Sequence, residues 1–224
     1  MNILIACEES QRVCIEFRKK GHNAFSCDVL SCSGDHPEWH IMSDVLPILN
    51  GNCTFTTCDG VEHSLNTRWD MIIAFPPCTH LAISGAKHFE KKREDGRQEE
   101  GILFFKNILE ADCDKIAVEN PVNIIGSDYI SIYFPQYSYL PNCDQYIQPY
   151  EYGENARKKT CLWLKNLPKL KPTNIVKPEL VEYYCSDGRK VTFSKDYGGG
   201  GGLNGQRRSK TYLGVARAMA DQWG

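Results

Sequence analysis

Residues 69–78, Trp-Asp-Met-Ile-Ile-Ala-Phe-Pro-Pro-Cys, decide the fold class, because they join a buried strand to an abrupt stop. The run from Met71 to Phe75 is apolar without alternation, which is typical of a strand buried on both faces in a parallel sheet. Pro76 and Pro77 cannot donate ladder hydrogen bonds, so the strand ends there. Ligands of open α/β sheets bind beyond the carboxyl ends of the strands, so Cys78 stands where a reactive thiol would be useful.

Similar strands lie on both sides of this one along the chain. The first is Asn2 to Ala6, and a helix capped by Ser10 and running to Lys20 leads to a second strand at Ala24 to Val29. Further strands are predicted at 39–43, 115–119 and 160–164, with a helix over 101–110 after the polar stretch 87–100. This alternation predicts a doubly wound, mostly parallel α/β sheet.

The segment 165–205 differs in kind from the rest. Asp187-Gly188, between aromatic and β-branched residues, predicts a hairpin, and five consecutive glycines at 198–202 cannot hold a regular element. A helix is predicted between Arg207 and Trp223, with Val215 and Met219 on its apolar face. We therefore divide the chain into a catalytic domain, residues 1–164 plus 206–224, and a small excursion, residues 165–205.

Composition excludes several classes of protein. Twenty-six Lys and Arg against 28 Asp and Glu give a net charge of −2, which excludes a uniformly basic nucleic-acid coat. No apolar run approaches the roughly 18–20 residues that span a bilayer, and the N-terminus does not read as a secretory signal, so a cytoplasmic protein without a membrane segment is expected. Eleven cysteines without a Cys-x-x-Cys pair favour buried, reduced thiols over a metal site or a disulfide framework.

A second chemical signal is Glu119-Asn120-Pro121, which ends another buried strand. A carboxyl group at such a place is costly unless it faces a cleft or a partner. Together with Cys78 it would place a thiol and a carboxyl group at neighbouring strand ends, a pair suited to nucleophilic addition to a ring whose nitrogen must be protonated. Each motif alone also has a plain explanation, a rigid turn with an incidental thiol or a glutamate that caps a nearby group.

These two motifs resemble the Pro-Pro-Cys and Glu-Asn-Val motifs of the cytosine-carbon-5 DNA methyltransferases, and the chain is similar to the compact members that phages and prophages encode. Three weaker resemblances follow in the family's order, at Ser84-Gly85 with Asp95-Gly96-Arg97, at 155–164 and at 209–219. The resemblance covers nearly the whole chain except 165–205, and five ordered matches are more specific than any one of them.

The resemblance implies a class I, Rossmann-like methyltransferase fold and methyl transfer to a cytosine flipped out of a DNA duplex in a bacterial or phage-infected cell. It implies that Cys78 adds to carbon 6 of the base and that Glu119 bonds ring nitrogen 3 and the exocyclic amine. Arg157 or Lys159 would hold the carbonyl oxygen. Contacts with DNA are expected from Ser84, Arg97, Arg189, Lys190, Arg207 and Arg208.

The same resemblance implies S-adenosylmethionine as the cofactor, although the family's glycine-rich first motif is replaced here by residues 6–10, Ala-Cys-Glu-Glu-Ser. Amides near Ser10 are expected to face the cofactor's carboxylate, and Glu8 or Glu9 its ammonium group. Asp28 would bind the ribose and Asp44 the adenine. The full expected set is Cys7, Glu8, Glu9, Ser10, Asp28, Val29, Asp44, Val45, Phe75, Pro76 and Ser209.

Two other functions stay open. The near-neutral charge is compatible with a methyltransferase for cytosine in RNA or in a free nucleotide, because duplex binding leans on many phosphate contacts. The missing glycines are compatible with a non-catalytic nucleic-acid-binding protein of the same fold, although Cys78 and Glu119 speak against it. Little protein is left for reading base edges, so we expect short or relaxed specificity, or a partner protein that supplies it.

Overall fold

The computed structural model describes residues 1–184, 188–194 and 209–224. The strands are β1 (Asn2–Ala6), β2 (Asn23–Asp28), β3 (His40–Met42), β4 (Cys53–Thr56), β5 (Glu62–Leu65), β6 (Met71–Ala74), β7 (Ile116–Pro121), β8 (Gln145–Ile147), β9 (Thr160–Lys165), β10 (Leu180–Tyr184) and β11 (Lys190–Ser194). The α-helices of these residues are α1 (Arg12–Lys19), α2 (Phe89–Glu94), α3 (Arg97–Leu109), α4 (Asp128–Tyr133) and α5 (Leu213–Trp223).

Seven strands form the central sheet in the order β3-β2-β1-β6-β7-β9-β8. All neighbours are parallel except β9, which runs antiparallel to both β7 and β8. The chain winds outward from β1 to β3, then crosses back to β6, so the switch point lies between β1 and β6. This order, with one reversed strand beside the edge, is the class I Rossmann-like methyltransferase fold, and it confirms the fold class expected from the sequence.

Alternate residues of the central strands feed two separate apolar layers. Leu4 and Ile72 belong to the layer that α3 covers with Ile102, Phe105 and Ile108. Their strand neighbours Ile3, Ile5, Met71 and Ile73 belong to the opposite layer, which α1 and α5 cover with Val13, Phe17, Val215 and Met219. Both faces of the sheet are therefore buried from solvent, which explains the unbroken apolar runs that identified these strands.

Every central strand predicted from the sequence is present, with ends shifted by one or two residues. The polar stretch 87–100 is helical rather than irregular, because its Glu, Lys and Arg residues are good helix formers and Phe89 and Gln98 are buried. Gly96, at φ 80°, separates α2 from α3. The sequence reasoning missed the antiparallel pair β4–β5, which buries only Phe55 and Leu65.

The predicted hairpin is confirmed in the pairing of β10 with β11, which places Tyr184 opposite Lys190. Gly188 has the positive φ of 80° that such a turn requires. Asp187, the glycine run, Arg207 and Arg208 lie outside the described residues. In the part of the chain that the structure covers, no helix is both long and apolar enough to cross a bilayer.

Gly214 allows α5 to start against the backbone of Tyr152. A Cβ at residue 214 would lie 1.8 Å from the Tyr152 carbonyl oxygen, and backbone cannot turn away as a side chain can.

We expect Gly214→Ala to lower the free energy of unfolding by about 1–3 kcal/mol or more, measured in urea. Gly101→Ala in α3 is the matched control, because its Cβ would meet nothing closer than 3.4 Å; it should be neutral or stabilising. Equal stability of the two variants would contradict this packing.

Candidate active site

The carboxyl ends of β6 and β7 bring the two predicted catalytic groups to one edge of the sheet. Ala74 pairs with Val118, so the segment leading to Cys78 leaves the sheet beside Glu119. Asn120, only 1% exposed, donates from its Nδ2 to the carbonyl oxygen of Pro76 at 2.7 Å. This buried bond ties the proline turn directly to the strand that carries Glu119.

Backbone hydrogen bonds then hold together the loops that follow the two strands. The carbonyl oxygen of Cys78 accepts from the amides of Leu81 and Ala82 at 3.0 and 2.9 Å, forming a tight turn. The amide of Ile83 donates to the carbonyl of Val122 at 3.0 Å, so this turn is joined to the loop after Glu119. The half-buried Cys78 therefore lies on a turn that is fixed from both sides.

Glu119 lines a small cavity whose other walls come from β8, β9 and the segment before α5. The lining residues are Glu119, Ile147, Pro149, Lys158, Thr160, Thr211, Tyr212 and Val215. Burial raises the pKa of Glu119, while the charge of Lys158 and a hydrogen bond with the Thr160 hydroxyl act in the opposite direction. The net direction is upward, so this carboxyl group keeps its proton to higher pH than an exposed glutamate does.

Lys158, and not the predicted Arg157 or Lys159, is the basic residue that faces Glu119. Lys158 lies just before β9, its charge acts on Glu119, and it lines the same cavity as Glu119 and Thr160. Arg157 and Lys159 are exposed, and the Lys159 ammonium lies 3.9 Å from the centre of the Tyr146 ring. No local pattern distinguished Lys158 from its neighbours, because residues 156–159 precede β9 and form no regular element.

The predicted cofactor carboxylates lie at the other half of the same edge, beyond β2 and β3. Burial raises the pKa of the Cys7 thiol, and the nearby charges of Asp28 and Asp44 raise it further. Asp28 is half-buried and accepts from the amide of Leu30 at 2.9 Å, while the exposed Asp44 accepts from the amide of Leu46 at 3.1 Å. These groups therefore meet around the turn after β1.

Glu8, and not Ser10, caps α1. Its carboxylate oxygens accept from the amides of Val13 at 2.7 Å and Cys14 at 3.2 Å, and Glu8 is 4% exposed. The expected cap at Ser10 is wrong, because the carboxyl group of Glu8 already accepts from two amides that have no partner within the helix. The contact expected between amides near Ser10 and a cofactor stays a prediction.

Glu9 belongs to a polar cluster that sequence reasoning missed. The Ser33 hydroxyl donates to the Glu9 carboxylate, and the Lys210 ammonium donates to the Ser33 hydroxyl at 2.6 Å and lies 3.9 Å from Glu9 Oε1. Arg12 donates to the carbonyl of Thr211 at 2.7 Å. Lys210 and Thr211 thereby attach the segment 209–212 to the turn after β1. Ser209, the first residue of this segment, is exposed.

The remaining predicted residues are less closely grouped. Of the cofactor set, Phe75 is half-buried, Pro76 and Val45 are buried, and Val29 is 71% exposed. Of the DNA set, Ser84 is exposed on the short 3-10 helix Ile83–His88, and Arg97 is held by Asp95, with Nε 2.9 Å from Oδ1. Arg189 is exposed, and Lys190 pairs with Glu182 at 2.6 Å.

No protein-family model matches the chain, and no curated protein matches it. Among solved structures it is similar to the crystal structure of a candidate DNA modification methyltransferase encoded within a prophage of E. coli, with 15% sequence identity and a TM-score of 0.47. The similarity covers 79% of this chain and 52% of the other, so the chain spans about half the length of that protein. The strand order, not this distant likeness, identifies the fold.

Glu8 gives the protein a pH-dependent stability. Burial raises its pKa from the ordinary 4.5 to about 8, against the lowering effect of its two amide donors. Between pH 4.5 and 8 the carboxyl group of Glu8 is deprotonated in the unfolded chain and protonated in the folded chain. Its protonation therefore contributes fully to the free energy of unfolding below pH 4.5, and this contribution is lost as pH rises through 8.

We expect the free energy of unfolding of Glu8→Gln, followed by urea denaturation between pH 5 and 8, to change less with pH than that of the parent protein. Glu16→Gln on the same helix is the control, because Glu16 pairs only with the exposed Lys19 among the residues described. The same pH slope in the Glu8 variant and the parent protein would contradict the proposed protonation of Glu8.

Proposed function

We propose that this protein is an S-adenosylmethionine-dependent methyltransferase that methylates carbon 5 of cytosine in DNA. The observation that carries the proposal is that Cys78 follows β6 and Glu119 lies near the end of the adjacent strand β7, with the two segments joined by the bond from Asn120 to the Pro76 carbonyl at 2.7 Å. The class I methyltransferase fold supports it independently, because its ligands bind along this same edge.

A thiol and a protonatable carboxyl group supply what cytosine methylation needs. The Cys78 thiolate adds to carbon 6, and the electron pair of the 5,6 double bond moves towards carbon 5 and into the ring. Glu119 holds ring nitrogen 3 and the exocyclic amine and donates a hydrogen bond where negative charge develops. Once carbon 5 carries the methyl group that the cofactor would supply, its proton passes to solvent, and the electron pair of that C–H bond restores the 5,6 double bond as the Cys78 sulfur leaves as a thiolate.

The surroundings of Glu119 support this assignment of roles. Burial raises its pKa, so the carboxyl group is more often protonated near neutral pH and is able to donate to a ring nitrogen. Lys158 on the same face is the cation for the base's carbonyl oxygen, in place of Arg157 or Lys159. Thr160 bonds the carboxyl group and fixes its direction.

The residues around the turn after β1 fit the proposed cofactor. Asp28 and Asp44 meet at Cys7, which takes a left-handed backbone conformation at φ 59° where a glycine is usual. With Glu8 occupied as the helix cap, Glu9 is the carboxylate of this turn for an ammonium group, and Lys210 is the adjacent cation for a carboxylate. S-adenosylmethionine, when bound, supplies the methyl group that carbon 5 takes.

Cytosine in RNA or in a free nucleotide is the second candidate substrate. The net charge of −2 favours it, because binding to a DNA duplex draws most of its strength from basic side chains that neutralise phosphates. A cytosine in single-stranded RNA needs no extraction from a duplex, whereas the same carbon in DNA is reached only after the base is flipped out.

Covalent capture tests the reaction. With cofactor and a duplex carrying 5-fluorocytosine, we expect the parent protein to form a stable adduct, because fluorine does not leave as a proton does. Cys78→Ser should form none, since a serine hydroxyl is scarcely ionised at neutral pH. Glu119→Gln should slow capture by roughly 100-fold or more. Mass spectrometry of the protein reports the modified residue.

Matched variants make the outcome specific. Cys58→Ser removes an exposed thiol and should leave capture unchanged, whereas Lys158→Met should slow it more than Lys159→Met. An adduct on another cysteine, or methylated cytosine produced by Cys78→Ser at the parent rate, would refute the mechanism. Capture of fluorocytosine in RNA but not in duplex DNA would favour the second candidate.

Cofactor binding is tested separately by calorimetry with S-adenosylmethionine. Asp28→Ala should weaken binding about 10- to 100-fold, because a hydrogen bond to a charged group contributes about 1.5–3 kcal/mol. Asp221→Ala is the control, since Asp221 pairs with Lys20 next to the start of β2, at the opposite edge of the sheet. Unchanged affinity in the Asp28 variant would remove this residue from the site.

A further inference from the structure

Tyr146 is an exposed aromatic residue with a cation held against its ring. It lies in β8, at the edge of the central sheet, and is 53% exposed. The exposed Lys159 places its ammonium 3.9 Å from the centre of the ring. Among the residues that the structure describes, no carboxylate forms an ion pair with Lys159, so its ammonium interacts with the ring and not with an acidic group. An ammonium on one face of a ring leaves the other face for a flat partner.

This pair lies at the edge of the sheet that carries the candidate active site. The start of β9 lies beside the ends of both β7 and β8. Lys159 directly precedes Thr160, and Tyr146 directly precedes Ile147. Thr160 and Ile147 line the cavity that contains Glu119, whereas Tyr146 and Lys159 do not. The pair therefore lies beside the cavity for the target base and not inside it.

The Tyr146 ring is fixed at several points. Its backbone pairs with Cys161 of β9. A hydrogen bond with the Cys143 side chain raises the pKa of the Tyr146 hydroxyl, so the far end of the ring is held as well. An aromatic ring that is already ordered loses little conformational entropy when a flat ligand stacks on it.

A nucleobase is the flat ligand that this chemistry matches. Proteins that bind single strands stack successive bases on aromatic side chains, and nearby cations add to the binding. Two of the cations expected to contact phosphates, Arg97 and Lys190, are instead paired with Asp95 and Glu182. The net charge of −2 also gives little attraction to a duplex. Stacking tolerates any sequence, because every base has a π-face, and this suits a chain with little protein for reading base edges.

We propose that Tyr146 and Lys159 form a stacking platform for the base next to the target cytosine, and that the preferred substrate is single-stranded DNA. In a duplex the neighbouring base stays paired and stacked, so it would reach the platform only after a second extraction. This rests on the proposed function and adds to it the form of the DNA and a contact outside the base cavity.

The test measures, by fluorescence anisotropy, the binding of a labelled single-stranded oligodeoxynucleotide that contains one cytosine. Two further strands carry an abasic site on the 5′ or on the 3′ side of that cytosine. We expect Tyr146→Ala to weaken binding of the complete strand about 10-fold, because it removes the stacking of one base. One abasic strand should bind the parent protein equally weakly, and Tyr146→Ala should weaken its binding no further.

Matched variants separate the ring from its surroundings. Tyr146→Phe keeps the ring and should bind like the parent protein, whereas Lys159→Met removes the cation and should weaken binding less than loss of the ring does. Tyr139→Ala is the control for an exposed tyrosine elsewhere. Tyr139 is 60% exposed, and its hydroxyl donates to Glu110, which precedes β7 at the opposite edge of the sheet.

Each other outcome overturns a definite statement. Equal affinity of Tyr146→Ala and the parent protein for the complete strand means that no base stacks on this ring. An equal loss on the complete strand and on both abasic strands also overturns the platform, because it assigns Tyr146 to the architecture of β8; urea denaturation then reports any loss of folding. Binding of the single strand no tighter than binding of the duplex overturns the preferred substrate.

Covalent capture, measured on the same single strand with 5-fluorocytosine replacing cytosine, keeps the two proposals apart. If the parent protein shows the loss of affinity at an abasic site but captures no fluorocytosine, the proposed function fails and the platform stands. If the parent protein captures fluorocytosine and is indifferent to both abasic sites, the platform fails and the proposed function stands.

Discussion

The hydrogen bond from the Asn120 side chain to the Pro76 carbonyl is the constraint on which the candidate site depends. Proline turns carry carbonyl groups that a following strand cannot satisfy, and a buried unpaired carbonyl costs about 1–3 kcal/mol. The side-chain Nδ2 of Asn120 supplies the missing donor from the adjacent strand. The Oδ1 of the same side chain accepts from the Nδ2 of Asn123 at 2.9 Å. The Asn120 side chain therefore satisfies the proline turn and joins it to the loop after β7.

The turn after β1 shows that a helix start can be organised without glycine. Cys7 and Gln11 both adopt positive φ angles, of 59° and 56°, which cost energy in residues with a Cβ. Glu8 offsets this cost by bonding two amides of α1, and Gln11 is bonded to the backbone of His36 through both atoms of its amide. The Glu8 carboxyl group and the buried amide of Gln11 thus hold the shape that glycines usually permit.

The sequence was sufficient for the central sheet and insufficient for the details of the site. Buried strands such as Met71–Ala74 can be recognised in the sequence, because a strand buried on both faces consists of consecutive apolar residues. Proline residues mark where such strands end. Choosing Lys158 over its neighbours needed the position of the segment before β9, and β9 is held in place by pairing with β7 across more than thirty residues of intervening chain. Lys210 and Ser33 lie in loops that are distant in the sequence and come into contact only in the folded chain, so no local sequence pattern predicts their hydrogen bond.

The pairing of β1 with β6 has a consequence for how the chain assembles. Residues 3–6 of β1 pair with residues 71–74 of β6, so the middle of the sheet forms only when the chain between them is closed into a loop. Closing so long a loop costs conformational entropy before the strand contacts can stabilise it. During synthesis, β1, α1 and β2 would emerge with one side of β1 unpaired, a surface prone to association with other chains. The carboxyl ends of β1 and β6 therefore come together only after residues 71–74 have been synthesised.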